Sequence, residues 1–298
     1  MEAAGHPQLL LRATGRARTR RLVNHAAEGV GTLAALLAVG VLAVVVISII
    51  VRALPALNLD LITKNEPIEF GAPGGGILYA IVGTVILVAI ATAIAMPVGI
   101  LVAIYVSEFA PRKLASAVRL ALDVLNGVPS IIIGIFVFGL FVVGIGQSGW
   151  AGGFALAVVM LPLVARATME VLALVPNTLR EASFGLGVSK WRTVLFVIVP
   201  TVFGGFLTGA TLAVARAAGE TAPLLFTSSI YATNTVTSDP SHAIPSLPVT
   251  IFIYSESPDS HLNDQAWAAA FLLMAFILIS SIGARILLAR FERKLRGR

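Results

Sequence analysis

The chain has 298 residues, is 57% hydrophobic and only 12% charged, and carries a formal net charge of +6 with no cysteine; its mean hydropathy is +0.94. This excludes an ordinary soluble domain, in which about a quarter of the residues are charged. It also excludes disulfides, thiolate catalysis and cysteine metal sites, and the basic residues flank apolar runs instead of forming one face, which argues against nucleic acid as a partner.

In chain order, Arg12, Arg16, Arg18, Arg20 and Arg21 precede an apolar run from Val30 to Val51, and Arg52 follows directly. A cleaved signal has a shorter apolar core, about 7–15 residues, ending at small residues. The expectation is therefore an uncleaved first transmembrane helix behind a basic arm, residues 1–29. Further runs of about 20 residues, enough to cross a bilayer, predict spans at Ile77–Val106, Val124–Ile145, Ala151–Val175, Val202–Leu225 and Trp267–Leu288. The sequence is thus expected to fold as an all-α integral membrane protein of six spans. It forms one membrane domain, residues 30–290, with a basic tail at 291–298.

Lysine and arginine in short loops mark the cytoplasmic side. Arg112, Lys113 and Arg119 follow the second span, Arg180, Lys190 and Arg192 follow the fourth, and Arg290, Arg293, Lys294, Arg296 and Arg298 end the chain. With the N-terminal arm these lie on one side, so both termini are expected in the cytoplasm. The opposite side holds Arg52 and Lys64 in its first loop. Its second loop, around Gln147–Gly149, is uncharged, and its third, from Asp239 to Asp264, has no Lys or Arg. Pro97, Pro129 and Pro162 interrupt spans; each kinks a helix or lets irregular backbone line a cavity.

Two charged pairs lie within spans, Arg166 with Glu170 in the fourth and Arg216 with Glu220 in the fifth. The i,i+4 spacing puts each pair on one helix face. A charge at a helix centre costs about 2.5–3.5 kcal/mol on insertion scales, which makes such residues candidates for function. A local ion pair that only fixes packing uses the same spacing. The functional reading is anion handling. Guanidinium is always charged and offers a planar fork to a tetrahedral oxyanion, while the glutamates keep the arginines from becoming a permanent trap.

Between the fourth and fifth spans lies a charged, glycine-broken island. Thr178 and Glu181 have the spacing of a capping box, which predicts a short helix from Leu179 to Leu186. Gly187 is the expected left-handed stop, Ser189 the cap of a second short helix, and Pro200 the entry to the next span. Two short helices joined by a glycine turn would project into the cytoplasm, either as an interfacial elbow or as a plug for a groove on another protein.

The island also carries a resemblance. Glu181-Ala182-Ser183, Gly187 six residues after the acid, and Val199-Pro200 are similar to the EAA loop of ABC importer permeases, the MetI-like family. Ser183 stands for the second alanine and Val199 for the usual leucine. Gly127–Ile131, Leu161-Pro162 with Arg166, Val175–Ala182 and Ala215–Phe226 extend the resemblance over residues 76–290, toward the phosphate importers of that family. The resemblance implies a six-helix permease fold in a bacterial inner membrane, with a coupling loop at 176–200. In that loop Arg180, Glu181, Ala182, Ser183 and Gly187 would meet an ATPase. It implies a sister permease of the PstC type, an ATPase dimer of the PstB type that holds ATP and Mg, and an extracytoplasmic phosphate-binding protein of the PstS type. Arg166, Glu170, Arg216 and Glu220 would serve the anion pathway. No catalytic residue, metal or cofactor is expected on this chain, which has no phosphate-binding Gly-x-x-x-x-Gly-Lys loop.

Rival readings are a permease for sulfate, molybdate or phosphonate, the sister subunit itself, a membrane partner in phosphate sensing, and an intramembrane enzyme. The last would use Glu170, Glu220, His242 and His261 as acid–base groups or metal ligands, but the two histidines lie in a loop without ligand-like spacing such as His-Glu-x-x-His.

Overall fold

A computed structural model describes residues 16–66, 75–228 and 236–296. The arm before residue 16, which carries Arg12, lies outside them, as do residues 297–298. The chain divides into two compact units, one up to Val51 and one from Arg52. The first is the helix α1, Arg16–Ala53, up to the division between the units. It is continuous and apolar enough to cross a bilayer.

The second unit is all-helical. After α2 (Leu59–Thr63), α3 (Leu78–Ile104) continues through a π-turn at Tyr105–Phe109, and α4 follows at Arg112–Gly127. Next come α5 (Ser130–Val137), a π-turn at Phe138–Val142, and α6 (Val143–Ile145). Then follow α7 (Gly149–Ala173), α8 (Asn177–Gly185), α9 (Lys190–Thr193), a π-turn at Val194–Ile198 and α10 (Val199–Ala218). The chain closes with α11 (Ala222–Thr227), α12 (Leu247–Ser255) and α13 (Ser260–Arg296).

Among the described residues, five helices are long and apolar enough to span. The third expected span is different. It is not one helix over Val124–Ile145 but a pair, Arg112–Gly127 and Ser130–Ile145, bent by 97°. The cause is Pro129, which pushes Val128 out of the helical region, to φ −70° and ψ 128°. Pro97 and Pro162, by contrast, sit inside unbroken helices. The fifth expected span also departs from Val202–Leu225. Its helix ends at Ala218, and after Gly219–Thr221 the short α11 begins with Pro223 in its first turn. The loop between the fifth and sixth spans contains α12 and the start of α13.

Helix α7 is the centre of the unit. Leu87, Ala91, Ala95, Leu156, Met160, Val164, Ala213 and Leu224 form a buried core that joins α3, α7, α10 and α11. Small residues set the distances, as they do where no hydrophobic force separates helix from lipid. A Cβ on Gly99 would meet Val164 and one on Gly153 would meet Ile90, so α3 and α7 run parallel. A Cβ on Gly205 would meet Val171 and one on Gly209 would meet Ala167, so α10 runs antiparallel to α7. These directions are those of second, fourth and fifth spans.

At the end of the unit where α3 and α7 begin, hydrogen bonds hold backbone that leaves the helices. Thr84 Oγ1 accepts from Leu247 N at 2.8 Å, and Ser228 Oγ both donates to Ile244 O and accepts from Ile244 N at 2.9 Å. Gly149 N donates to His242 O and Trp150 N to Pro240 O. Tyr254 donates to the Glu66 carboxylate and meets Tyr79 Oη at 2.7 Å.

Gly83 packs its bare Cα against the Pro245 carbonyl, where no Cβ fits. Gly83→Ala is expected to destabilise the protein by about 1–3 kcal/mol and to lower its melting temperature in detergent. Gly139→Ala, at a position with open space around the Cα, is the control and should melt close to the unsubstituted chain.

Candidate anion pathway and coupling element

The expected fifth-span pair forms, but not on one helix. Gly219 N and Glu220 N donate to Arg216 O and Ala217 O, a tight closure that ends α10. Glu220 therefore lies in the break between α10 and α11. Its carboxylate still reaches Arg216 Nε at 3.5 Å, with the arginine side chain 55% exposed and the glutamate 16%. Non-helical backbone at membrane depth is tolerated where it is buried in protein or lines a water-filled cavity.

The fourth-span pair does not form as expected. Arg166 Nη2 lies 2.5 Å from Asp123 Oδ1 of α4, and Glu170 has no ion pair among the described residues. The 97° bend explains this. It carries the last turns of α4 against α7, where Asp123 competes successfully for the guanidinium. Glu170, one turn along α7, is exposed. Sequence reasoning missed Asp123 because the third span was begun one residue later; an acid bordering an apolar run was the available signal.

The antiparallel register of α7 and α10 fixes relative depth. Gly209 opposes Ala167, so Arg216, two turns on, is level with Met160. Arg166 is six residues along α7 from there, roughly 9 Å at 1.5 Å per residue. Arg216 is thus near the middle of α7, and Arg166 is nearer the α8 end.

The island folds as two short helices with a glycine turn between them. Gly187 adopts φ +77°. Its N–H donates to Phe184 O, and Val188 N donates to Ser183 O, the two bonds of a Schellman stop. The capping box is absent. The helix starts at Asn177 with Pro176 at its cap position and no side-chain cap bond, because proline already fixes the entry conformation. Ser189 is the cap residue of α9, also without a side-chain cap bond.

The residues expected to meet an ATPase divide into two groups. Glu181, Ala182 and Gly187 are exposed, beside exposed Phe184 and Leu186. Ser183 is buried and shares a 2.8 Å hydrogen bond with Thr193 Oγ1, tying α8 to α9. Arg180 is turned inward. Its Nη2 and Nε donate to Glu108 at 2.7 and 3.4 Å, its Nη1 to Val175 O at 2.7 Å, and its Nη2 to Leu172 O at 3.2 Å. One guanidinium thus satisfies carbonyls at the end of α7 and clamps the π-turn of α3 to α8. Glu108, an acid at the C-terminal end of the second span, was also missed. Lys190 adds a cation–π contact to Phe109 at 5.3 Å.

His242 and His261 are far from these pairs in the chain, and among the described residues no group of three or more His, Asp or Glu could hold a metal. His242 lies 3.7 Å from Asp239, whose carboxyl is held below the usual range by hydrogen bonds from Ser241. Burial pushes the Tyr254 phenol up.

A family model described as "Binding-protein-dependent transport system inner membrane component" matches residues 95–297. The "Phosphate transport system permease protein PstA" of Haemophilus influenzae is 41% identical over 246 residues, which is 81% of this chain and 85% of that protein. The protein of the same name from Xylella fastidiosa strain Temecula1 is 37% identical over 276 residues, 92% of this chain and 95% of that one. Among solved structures, an inward-facing MetNI methionine ABC transporter chain superposes with a TM-score of 0.60 at 17% identity, covering 72% of this chain and 95% of its own.

The Arg180–Glu108 clamp generates a stability prediction. Removing one member of a buried pair leaves an uncompensated charge, at a cost of about 3–5 kcal/mol; with Arg180 19% exposed and Glu108 7%, Arg180→Met should cost about 2–4 kcal/mol. Adding Glu108→Gln to Arg180→Met should recover part of that loss in thermal unfolding of the purified protein.

Proposed function

Because the chain belongs to the family of binding-protein-dependent transport system inner membrane components, and its relatives are PstA permeases, we infer that it is a permease subunit of a phosphate ABC transporter. It is a multi-pass inner-membrane protein and is not itself catalytic. ATP and Mg belong to a separate ATPase dimer of the PstB type. A sister permease of the PstC type supplies the other half of the pathway, and an extracytoplasmic phosphate-binding protein of the PstS type delivers the anion. Both termini are cytoplasmic, in keeping with the arginine-rich arm, the basic loops and the basic tail. Residues 30–290 form the permease domain, between the arm at 1–29 and the tail at 291–298.

The observation that carries the pathway is the Arg216–Glu220 pair at the break between α10 and α11, level with the middle of α7. A fixed cation at mid-depth draws an oxyanion out of water, and the adjacent carboxylate limits how tightly it is held, since conduction needs binding weak enough for release. Arg166 and Glu170 extend the pathway toward the cytoplasm. The exposed tip of α8, with Glu181, Ala182 and Gly187, seats in the ATPase. Arg180 and Ser183 hold that tip in place from inside.

Arg216→Lys keeps the charge but loses the planar fork. Phosphate uptake into proteoliposomes containing the whole transporter is expected to fall about tenfold, the equivalent of one charge-assisted hydrogen bond, while the subunits still co-purify. Uptake at the unsubstituted rate would remove Arg216 from the anion pathway.

A further inference from the structure

We propose that Asp123 is a gating residue of the anion pathway, a carboxylate of this chain that occupies Arg166 in place of the cargo and must let go before an oxyanion can be handed to it. This rests on the reading of Arg166 as a pathway arginine, and it assigns a role to a residue outside the spans in which charge was expected.

Three observations support it. The first is the contact itself. Asp123 Oδ1 is 2.5 Å from Arg166 Nη2, and both side chains are 44% exposed in this chain. A carboxylate oxygen presents to guanidinium the same charged acceptor that a phosphate oxygen presents. Half-exposure means that a solute oxyanion can approach the same nitrogen atoms, so the two compete. The pair is not a sealed structural bridge, unlike Arg180 with Glu108, which is largely buried.

The second is the element that carries Asp123. Helix α4 is held at its two ends and is not a continuous span. At its C-terminal end Val128-Pro129 forms the 97° bend, a place where the helix direction is set by two residues. At its N-terminal end Ala110-Pro111 joins it to the π-turn of α3, the segment that carries Glu108. A helix between two such joints can move as a rigid piece relative to α7.

The third is what the joint is fastened to. Glu108 is bound by Arg180 of α8, and Phe109 lies under Lys190 of α9. Both helices belong to the element proposed to meet the ATPase. A displacement of α8 therefore acts on the start of α4 through the Arg180–Glu108 bonds, and the other end of α4 bears Asp123. The connected series is α8, Arg180, Glu108, α4, Asp123, Arg166. When Asp123 departs, Arg166 is open to the anion; Glu170, one turn along the same helix, forms no ion pair among the described residues and can at most share the guanidinium with it.

The test uses the complete transporter in proteoliposomes and measures the lumenal inorganic phosphate concentration that halves ATP-driven uptake, with the lumen on the cytoplasmic side of the permease. Asp123→Asn removes the competitor and keeps the shape. The halving concentration is expected to fall roughly two- to fivefold, the range set by a half-exposed ion pair. In the Arg166→Gln background Asp123→Asn should produce no further change. If Arg166→Gln alone leaves uptake and its inhibition by lumenal phosphate unaltered, the pathway role of Arg166 fails. If Arg166→Gln alters them but Asp123→Asn does not, or shifts them equally with and without Arg166, the gating role of Asp123 fails. The chain has no cysteine, so Asp123→Cys provides an independent arm. Modification with a sulfonate-bearing thiol reagent should return the halving concentration toward the unsubstituted value, and an ammonium-bearing reagent should not. Equal effects of the two reagents would overturn the proposal.

Discussion

Among the described residues, the main breaks in the long helices answer to one constraint: inside the hydrocarbon region there is no water to satisfy a backbone N–H or C=O, so the protein must do it. After α11 and before α12, Ser228 Oγ handles both the N–H and the C=O of Ile244, and Thr84 Oγ1 receives the N–H of Leu247. Where α7 ends, Arg180 takes the carbonyls of Leu172 and Val175. Where α10 breaks, the N–H groups of Gly219 and Glu220 turn back on the last helical carbonyls. The breaks are thus ordered features, and charged residues are found beside them. Glu220 lies in one break with Arg216 just before it, and Asp123 stands just before another.

That association accounts for what the sequence disclosed and what it concealed. Long apolar runs made the spans legible, because length and hydropathy report directly on the ability to cross a bilayer. The stop at Gly187 was legible because a left-handed residue after a helix has one usual chemistry. The bend at Val128-Pro129 was not, since Pro97 and Pro162 lie in equally apolar surroundings and break nothing. Whether a proline only kinks or fully turns a helix depends on its neighbours in space, here α7 and α11 packed close against α5, where Gly134 meets Pro223. The partners of Arg166 and Arg180 were concealed for the same reason. Asp123 and Glu108 are tens of residues away in sequence, and only the packing of α4 and of the α3 π-turn brings them in.

Three π-turns interrupt otherwise regular helices, at Tyr105–Phe109, Phe138–Val142 and Val194–Ile198. Two of the three adjoin the coupling element: one supplies Glu108 and Phe109 to it, and the other links α9 to α10. A π-turn inserts a residue without breaking the helix, and it rotates everything beyond it relative to the helix before. The helix that leads from α9 to Arg216 therefore carries a local adjustment of register, while α7, which bears Arg166, has none.

The hydrogen bond between Ser183 and Thr193 makes the two positions a single unit of substitution. The hydroxyl of Thr193 is fully buried and also donates to Ser189 O at 3.3 Å, so threonine can remain there alone, but it then joins α9 only to its own cap. With serine at 183 the same hydroxyl links α8 across the glycine turn, and the two short helices answer a push as one body. A substitution at 183 therefore changes what Thr193 can bond, and one at 193 changes what Ser183 can bond, so the effect of either depends on the other.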